Sequence, residues 1–469
     1  MPLIVYPYIS RVLGVEKIGA CDFVDGIINY FVLFSYAGIS SYGVREVARC
    51  KSDRKRLDSC FSSLVALNIL MTLAALAILI LCVLFVPKFQ DYSKFLWVGA
   101  LKLIFSTFLI EWFYQGTEQF KYITIRTVAI RFVFIISVFI FVHSAQDVFI
   151  YFVLYSFTTV VNAVINWTYS RKSVTFILKK SNLREKFKPV FSFGYYRILT
   201  SLYTSFNTVF LGFVCTVVQV GYFATATKLN SILMSIFTAF TTVMVPHVSH
   251  LLEADNREEL TRIGSITLNM LSIFSLPLIY FCLIFAPEII FIISGRGYEG
   301  AIIPFRIIVP LILIIGFEQI YVQQFLMAST KSNKPIVLLS TVGAIVGLTI
   351  NFIITPRLQS IGTSISWVCS EICILLISIN MVARYLGIKF SFIPILKTII
   401  WSFAYIIPLW LIQCSIEDIW IKIPFAVIVV IVEFVLINFC LQSIERFPVK
   451  MPHGIENILK HMDLWKLKR

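Results

Sequence analysis

Charge is what this sequence has least of. Of its 469 residues only 14% are Asp, Glu, Lys or Arg, where soluble domains carry about 25%. Length alone would suggest roughly three soluble domains, but no stretch is polar enough to cover a soluble domain's surface. Motifs that carry chemistry are also missing. The sequence holds no G-x-x-x-x-G-K-[ST] phosphate loop, so no nucleotide hydrolysis of its own is expected to drive it. No catalytic triad or metal-ligand spacing is visible, and no cofactor is expected. The ten cysteines form no C-x-x-C pair. The closest two, Cys369 and Cys373, lie one helical turn apart in an apolar run, so they read as small buried or lipid-facing residues. The opening Met1-Pro2-Leu3-Ile4-Val5 has no cleavable-leader pattern.

What is present is apolar. Hydrophobic residues make up 58% of the chain, and the mean hydropathy is +0.87. A membrane-crossing helix needs about 20 apolar residues. Fourteen such segments are expected, near 1–12, 22–42, 60–86, 93–114, 122–142, 147–170, 190–213, 219–249, 264–286, 301–328, 335–355, 360–383, 394–413 and 421–442. The runs are continuous, unlike the segments of about 10 alternating residues in a membrane β-barrel. Irregular backbone in lipid would leave its polar groups unpaired. The expected class is therefore an all-α polytopic membrane protein.

The net charge of +15 would suggest nucleic acid for a soluble protein. Here lysine and arginine crowd the connections after the even-numbered segments and the tail, richest at Arg45 to Arg56 and Arg171 to Lys188. The positive-inside rule then places both termini in the cytoplasm, and no nucleic-acid partner is expected. The first segment is short: the residues before Arg11 would span about 15 Å as a helix, half of a hydrocarbon core about 30 Å thick. The first helix is expected to be truncated, the chain starting partway along it. A weak internal repeat is also visible. Leu13-Gly14 and Gly19 precede segment 2 as Leu211-Gly212 and Gly221 precede segment 8. The end of segment 4 from Glu111 resembles the end of segment 10 from Glu318. Two pseudo-symmetric six-helix bundles, 1–180 and 181–390, are expected, followed by a helix pair, 391–444, and a basic cytoplasmic tail, 445–469. Parallel repeats of this kind recur in transporters.

Three motifs, in order, carry a family resemblance. Pro7-Tyr8-Ile9-Ser10-Arg11-Val12-Leu13-Gly14, with Gly19 following, resembles the P-Y-x-x-R-x-L-G-x-x-x-x-G opening of bacterial polysaccharide flippases. Gly38 and Tyr42-Gly43-Val44-Arg45-Glu46-Val47-Ala48-Arg49 resemble their Y-G-x-R-E-x-A-R element. Trp112-Phe113-Tyr114-Gln115-Gly116, then Glu118 and Tyr122, is similar to their W-x-x-Q-G-x-E-x-x-x-Y element. The family is the polysaccharide transporter branch of the multidrug/oligosaccharidyl-lipid/polysaccharide (MOP) superfamily. The resemblance implies an inner-membrane protein with two bundles around a central cavity, not an enzyme. It would flip an undecaprenyl-diphosphate-linked oligosaccharide to the periplasmic leaflet for O-antigen, capsule or exopolysaccharide synthesis. Membrane lipids, and the polymerase and chain-length proteins of the same pathway, would be its partners. Two alternatives remain open at this point: a multidrug antiporter of the same superfamily, and a membrane-embedded polymerase or glycosyltransferase.

A diphosphate headgroup needs a cationic, wet path, and arginine's planar fork suits it. Charges inside spans are therefore the site candidates. Arg11, Arg126, Arg131, Arg197 and Lys228 are candidates for headgroup or cavity binding, with snorkelling to the interface as the plainer role for Arg126 and Arg197. Arg45 and Arg49 share a helix face and could form a cytoplasmic vestibule or simply cap segment 2. Lys102 is another embedded cation among these candidates, with an outer-leaflet snorkel as its plainer role. Glu111, Glu318 and Glu371 could carry a coupling proton or make static ion pairs, and Glu433 ranks below them. Asp22 and Asp25 read as helix-start charges. Tyrosines are available to stack on sugar rings, but the sequence does not single any out.

Overall fold

The computed structural model describes residues 2–176, 183–254, 256–329 and 334–444. Among them, every regular element is helical. In chain order the helices are α1 (Pro2–Cys50), α2 (Arg54–Phe85), α3 (Pro87–Asp91), α4 (Ser93–Ser106), α5 (Glu111–Gly116), α6 (Phe120–Phe141) and α7 (Val148–Ser170). There follow α8 (Leu183–Tyr203), α9 (Phe206–Val214), α10 (Val217–Glu253), α11 (Arg257–Ile284), α12 (Ala286–Ser294), α13 (Ile302–Ile308) and α14 (Leu311–Gln319). The last are α15 (Met327–Ser329), α16 (Lys334–Leu386), α17 (Ile393–Ser402), α18 (Ile406–Ser415) and α19 (Ile419–Ile444). A π-helical turn, Ile320–Leu326, joins α14 to α15. Ten helical stretches of the described residues are long and apolar enough to cross a membrane. The chain is an all-α polytopic membrane protein.

Two of the ten are about twice the needed length, and contacts show why. In a straight helix rising 1.5 Å per residue, Tyr6 and Asp22 would stand about 24 Å apart. Yet the Lys228 ammonium lies 2.7 Å from Asp22 and 4.8 Å from the centre of the Tyr6 ring. The chain folds back at Gly14, whose φ of 74° is a conformation that side chains rarely adopt. α16 does the same at Gln359, with φ 53°. There Ser366 donates to the carbonyl of Gly347 at 2.7 Å, and Thr355 and Thr363 share a hydrogen bond at 3.2 Å. So α1 and α16 are helical hairpins, as the separate segments in the sequence anticipate.

Caps set the other boundaries. Asp53 accepts from the amides of Lys55 and Arg56 to start α2, and Asn256 accepts from Glu259 to start α11. Before α7, Ser144 and Asp147 form a reciprocal capping box, which ties up amide groups otherwise left unpaired. Turns that pack together define two ends of the bundle. Phe89 meets Phe213, and Tyr92 meets Phe23. At the opposite end Lys51 pairs with Glu118 at 2.8 Å, holding that carboxyl below the usual carboxylate range, and Thr175 donates its amide to Asp58.

Burial is inverted relative to a soluble protein. Phe132 and Phe352 are 61% and 63% exposed, while Asn207 and Asn351 are fully buried and hydrogen-bonded to each other at 2.7 Å. In lipid the apolar surface faces outward and interhelical polar contacts sit inside. α1 packs chiefly on α2, α8 and α10. Gly19 makes the approach to α10 possible: a Cβ there would stand 1.9 Å from the carbonyl oxygen of Val217. The chain divides into two units, Met1–Thr398 and Ile399–Arg469, and the second contains α18 and α19. The tail 445–469 lies outside the described residues.

Candidate functional site

Three of the polar clusters in the first unit draw on charged residues of α1, α4, α5, α6 and α10. In the first, Lys228 of α10 pairs with both carboxylate oxygens of Asp22 on α1, at 2.8 and 2.7 Å, and lies over the Tyr6 ring. The Tyr6 hydroxyl shares a hydrogen bond with Thr225 at 2.6 Å. In the second, Lys102 of α4 bonds to Asp25 and to Asn29 at 2.9 Å. The Tyr155 hydroxyl of α7 reaches Asp25 at 3.3 Å. In the third, Arg126 of α6 donates to Glu111 at 2.8 Å and to Asn166. Asn166 in turn donates to the carbonyl of Leu109, which the break between α4 and α5 leaves free. That break is strained: Ile110, fully buried, has φ 37°, an outlying value for a β-branched residue.

The clusters border one cavity of about 550 Å³, within the range of small-molecule sites. It is walled by Tyr6, Asp22 and Asp25 of α1, by Glu111, by Thr127, Arg131 and Phe134 of α6, by one face of α7, and by Lys228. The charges differ in what they have left to give. Lys228 and Lys102 are committed to aspartates, and Arg126 is committed to Glu111 and Asn166. Arg131 makes no hydrogen bond or ion pair among the described residues. An unpaired guanidinium on a cavity wall offers its fork to an anion from outside.

The structure thus brings together four of the expected site residues, Glu111, Arg126, Arg131 and Lys228, with only Arg126 behind the wall rather than on it. Arg11 is elsewhere: it donates to the carbonyl of Ile292 at 2.5 Å, beside the end of α12. Arg197 donates to Ser40. Arg49 pairs with Glu46 at 3.2 Å, and Arg45 is exposed one turn away. Glu318 and Glu371 stand together in a separate cluster, where Trp367 donates to the buried Glu371 at 2.9 Å. Glu433 is on α19 in the second unit. Asp22 and Asp25 are not helix-start charges. They lie on the second arm of α1 and anchor the buried Lys102 and the partly open Lys228, so Lys102 is a paired residue rather than a snorkel. Sequence reasoning missed this because the partners are far apart in the chain. The one available signal was an aspartate pair and a lysine in apolar runs that lipid would otherwise leave uncompensated. No group of three or more metal-ligating side chains occurs among the described residues.

With the fold and cavity in view, comparison with known proteins assigns the class. Residues 1–252, more than half of the chain, match the polysaccharide biosynthesis protein family. The chain belongs to that family, in the polysaccharide-transporter branch of the MOP superfamily. It is 24% identical over 382 residues to an Escherichia coli (strain K12) protein named "Putative O-antigen transporter", covering 79% of this chain and 90% of the other. A Shigella dysenteriae protein of the same name is 24% identical over 233 residues, or 49% of this chain and 58% of the other. Among solved structures, the inward closed conformation of the lipid II flippase MurJ superposes with a TM-score of 0.77 at 13% identity, covering 94% of this chain and 96% of that one. An inward-facing multidrug resistance MATE transporter of the MOP superfamily superposes with a TM-score of 0.63 at 14% identity, over 82% and 93%. Both likenesses concern the fold.

Proposed function

We propose that this protein is a flippase. It carries undecaprenyl-diphosphate-linked oligosaccharide from the cytoplasmic to the periplasmic leaflet of the inner membrane, for O-antigen, capsule or exopolysaccharide synthesis. It is a transporter, not an enzyme. The observation that carries the reading is the unpaired Arg131 beside the Asp22–Lys228 pair on one cavity wall, within a chain of this family. A diphosphate entering the cavity meets one free cation, and a second that Asp22 can yield. The prenyl tail stays in lipid while the headgroup travels through the polar interior, so no bare charge crosses hydrocarbon.

Further parts of the reading rest on the sequence. Fourteen spans follow if α1 and α16 each count as two, α8 with α9 forms one, and α19 another. The basic end, with Lys51, Arg54 and Arg171, supports a cytoplasmic assignment for that side and for both termini. The division into six-helix bundles 1–180 and 181–390 with an extra pair 391–444 places Lys228 on the second bundle and Asp22 on the first. Their ion pair would then open and close with alternating access. Arg45 and Arg49 serve as the cytoplasmic vestibule, while Arg11 and Arg197 act as helix anchors. Glu318 and Glu371 are the pair on which a coupling proton would sit. The polymerase and chain-length proteins of the pathway are the expected partners.

Deleting the gene tests the reading. Surface glycan is expected to disappear while lipid-linked repeat units accumulate on the cytoplasmic side, and the intact gene is expected to restore export. A deletion that alters drug resistance and leaves surface glycan unchanged contradicts it in favour of a multidrug antiporter.

A further inference from the structure

The ion pairs leave one wall of the cavity with polar atoms to spare. That wall is a single face of α7, where Tyr151, Tyr155, Thr159 and Asn162 recur at helical spacing. The Tyr151 and Tyr155 rings are stacked, 6.4 Å between centroids and 27° apart. Phe134 of α6 packs on both, at 6.5 and 6.3 Å. The hydroxyls of Tyr151 and Thr159 have no hydrogen-bond partner among the described residues. Asn162 donates to the carbonyl of Thr158 at 2.7 Å, but its own Oδ1 is buried with nothing to accept from. A buried amide oxygen without a donor is costly unless something supplies one.

Aromatic faces beside unsatisfied hydroxyl and amide groups complement a pyranose. The ring's C–H face lies against the negative face of an aromatic, and its hydroxyls both donate to an amide oxygen and accept from a phenol. A prenyl tail would satisfy neither Asn162 nor Tyr151. Arg131 is on α6 one turn before Phe134, so the free cation adjoins the aromatic wall. We propose that this face of α7 is the sugar-reading surface: it recognises the sugar next to the diphosphate, while Arg131 and Lys228 hold the diphosphate itself. The inference rests on the flippase reading and adds a residue-level source of selectivity.

The test uses the purified full-length protein and two probes. One is undecaprenyl diphosphate; the other is undecaprenyl-diphosphate-linked repeat unit extracted from the cells that make it. Wild type is expected to bind the sugar-bearing lipid about ten-fold more tightly, the worth of one or two hydrogen bonds. The triple variant Tyr151→Phe, Thr159→Val, Asn162→Leu is expected to lose that preference and keep the bare lipid, which also serves as the folding control. Asn162→Leu alone should lose about three-fold of it, less than one full hydrogen bond. Arg131→Ala should weaken both lipids alike. A triple or single variant with the full preference intact overturns the sugar-reading surface, as does a wild type that binds both lipids equally. A wild type that binds neither lipid overturns the flippase reading itself.

Discussion

Arg131 and Lys228 share a cavity but not a circumstance. Lys228 has an aspartate, an aromatic ring and a helix–helix contact that depend on it; Arg131 has none of these. Replacing Lys228 with alanine leaves the Asp22 carboxylate without its counter-charge. A fully buried pair broken this way costs about 3–5 kcal/mol. Both side chains here are partly open, at 32% and 22%, so about 1–2 kcal/mol is expected after that discount. Thermal unfolding in detergent should therefore show Lys228→Ala destabilised. Arg131→Ala should unfold within about 0.5 kcal/mol of wild type while glycan export falls. Arg131→Lys should restore export only in part, because an ammonium keeps the charge but loses the two-pronged geometry. Equal destabilisation of both variants would mean that Arg131 has a structural partner.

At the scale of elements, the hairpins and the close helix approaches decide the shape. Gln359, at φ 53° and ψ −127°, holds a positive-φ conformation that costs a side chain about 1–3 kcal/mol, and glycine would be free of it. Gln359→Gly is expected to leave stability unchanged or raise the unfolding temperature, whereas Gly19→Leu should prevent α1 from meeting α10 and abolish folded protein in size-exclusion profiles. The sequence exposes much of this level. Apolar runs mark the helices, and Gly14 and Gly19 mark the first turn, because glycine is where a backbone reverses or two helices touch. Gln359 carries no such mark, and neither does the strained Ile110 that breaks α4 from α5. The tertiary surroundings impose both conformations, and local residue preference does not announce them.

Over the whole molecule, membrane residence, family and the presence of charged residues inside the spans could be read from the chain. The partners of those charges could not. Asp22 finds Lys228, and Asp25 finds Lys102, only after the helices assemble. The sugar-reading face of α7 was hidden for another reason. Tyrosine, threonine and asparagine at helical spacing look the same whether they face lipid, a neighbour or a cavity, and the cases separate only through the cavity they line and the unfilled hydrogen-bonding capacity of Tyr151, Thr159 and Asn162. The cavity is proposed to move a lipid-linked oligosaccharide between leaflets. The most direct measurement reconstitutes the purified protein in vesicles and follows the lipid-linked repeat unit from one leaflet to the other, using a sugar-modifying reagent that cannot cross the bilayer. Wild type is expected to speed exchange well above protein-free vesicles, and Arg131→Ala to slow it at least about ten-fold, roughly the 1.4 kcal/mol worth of one charge-assisted contact. Exchange no faster than in protein-free vesicles, or unaltered by Arg131→Ala, would contradict this role of the cavity.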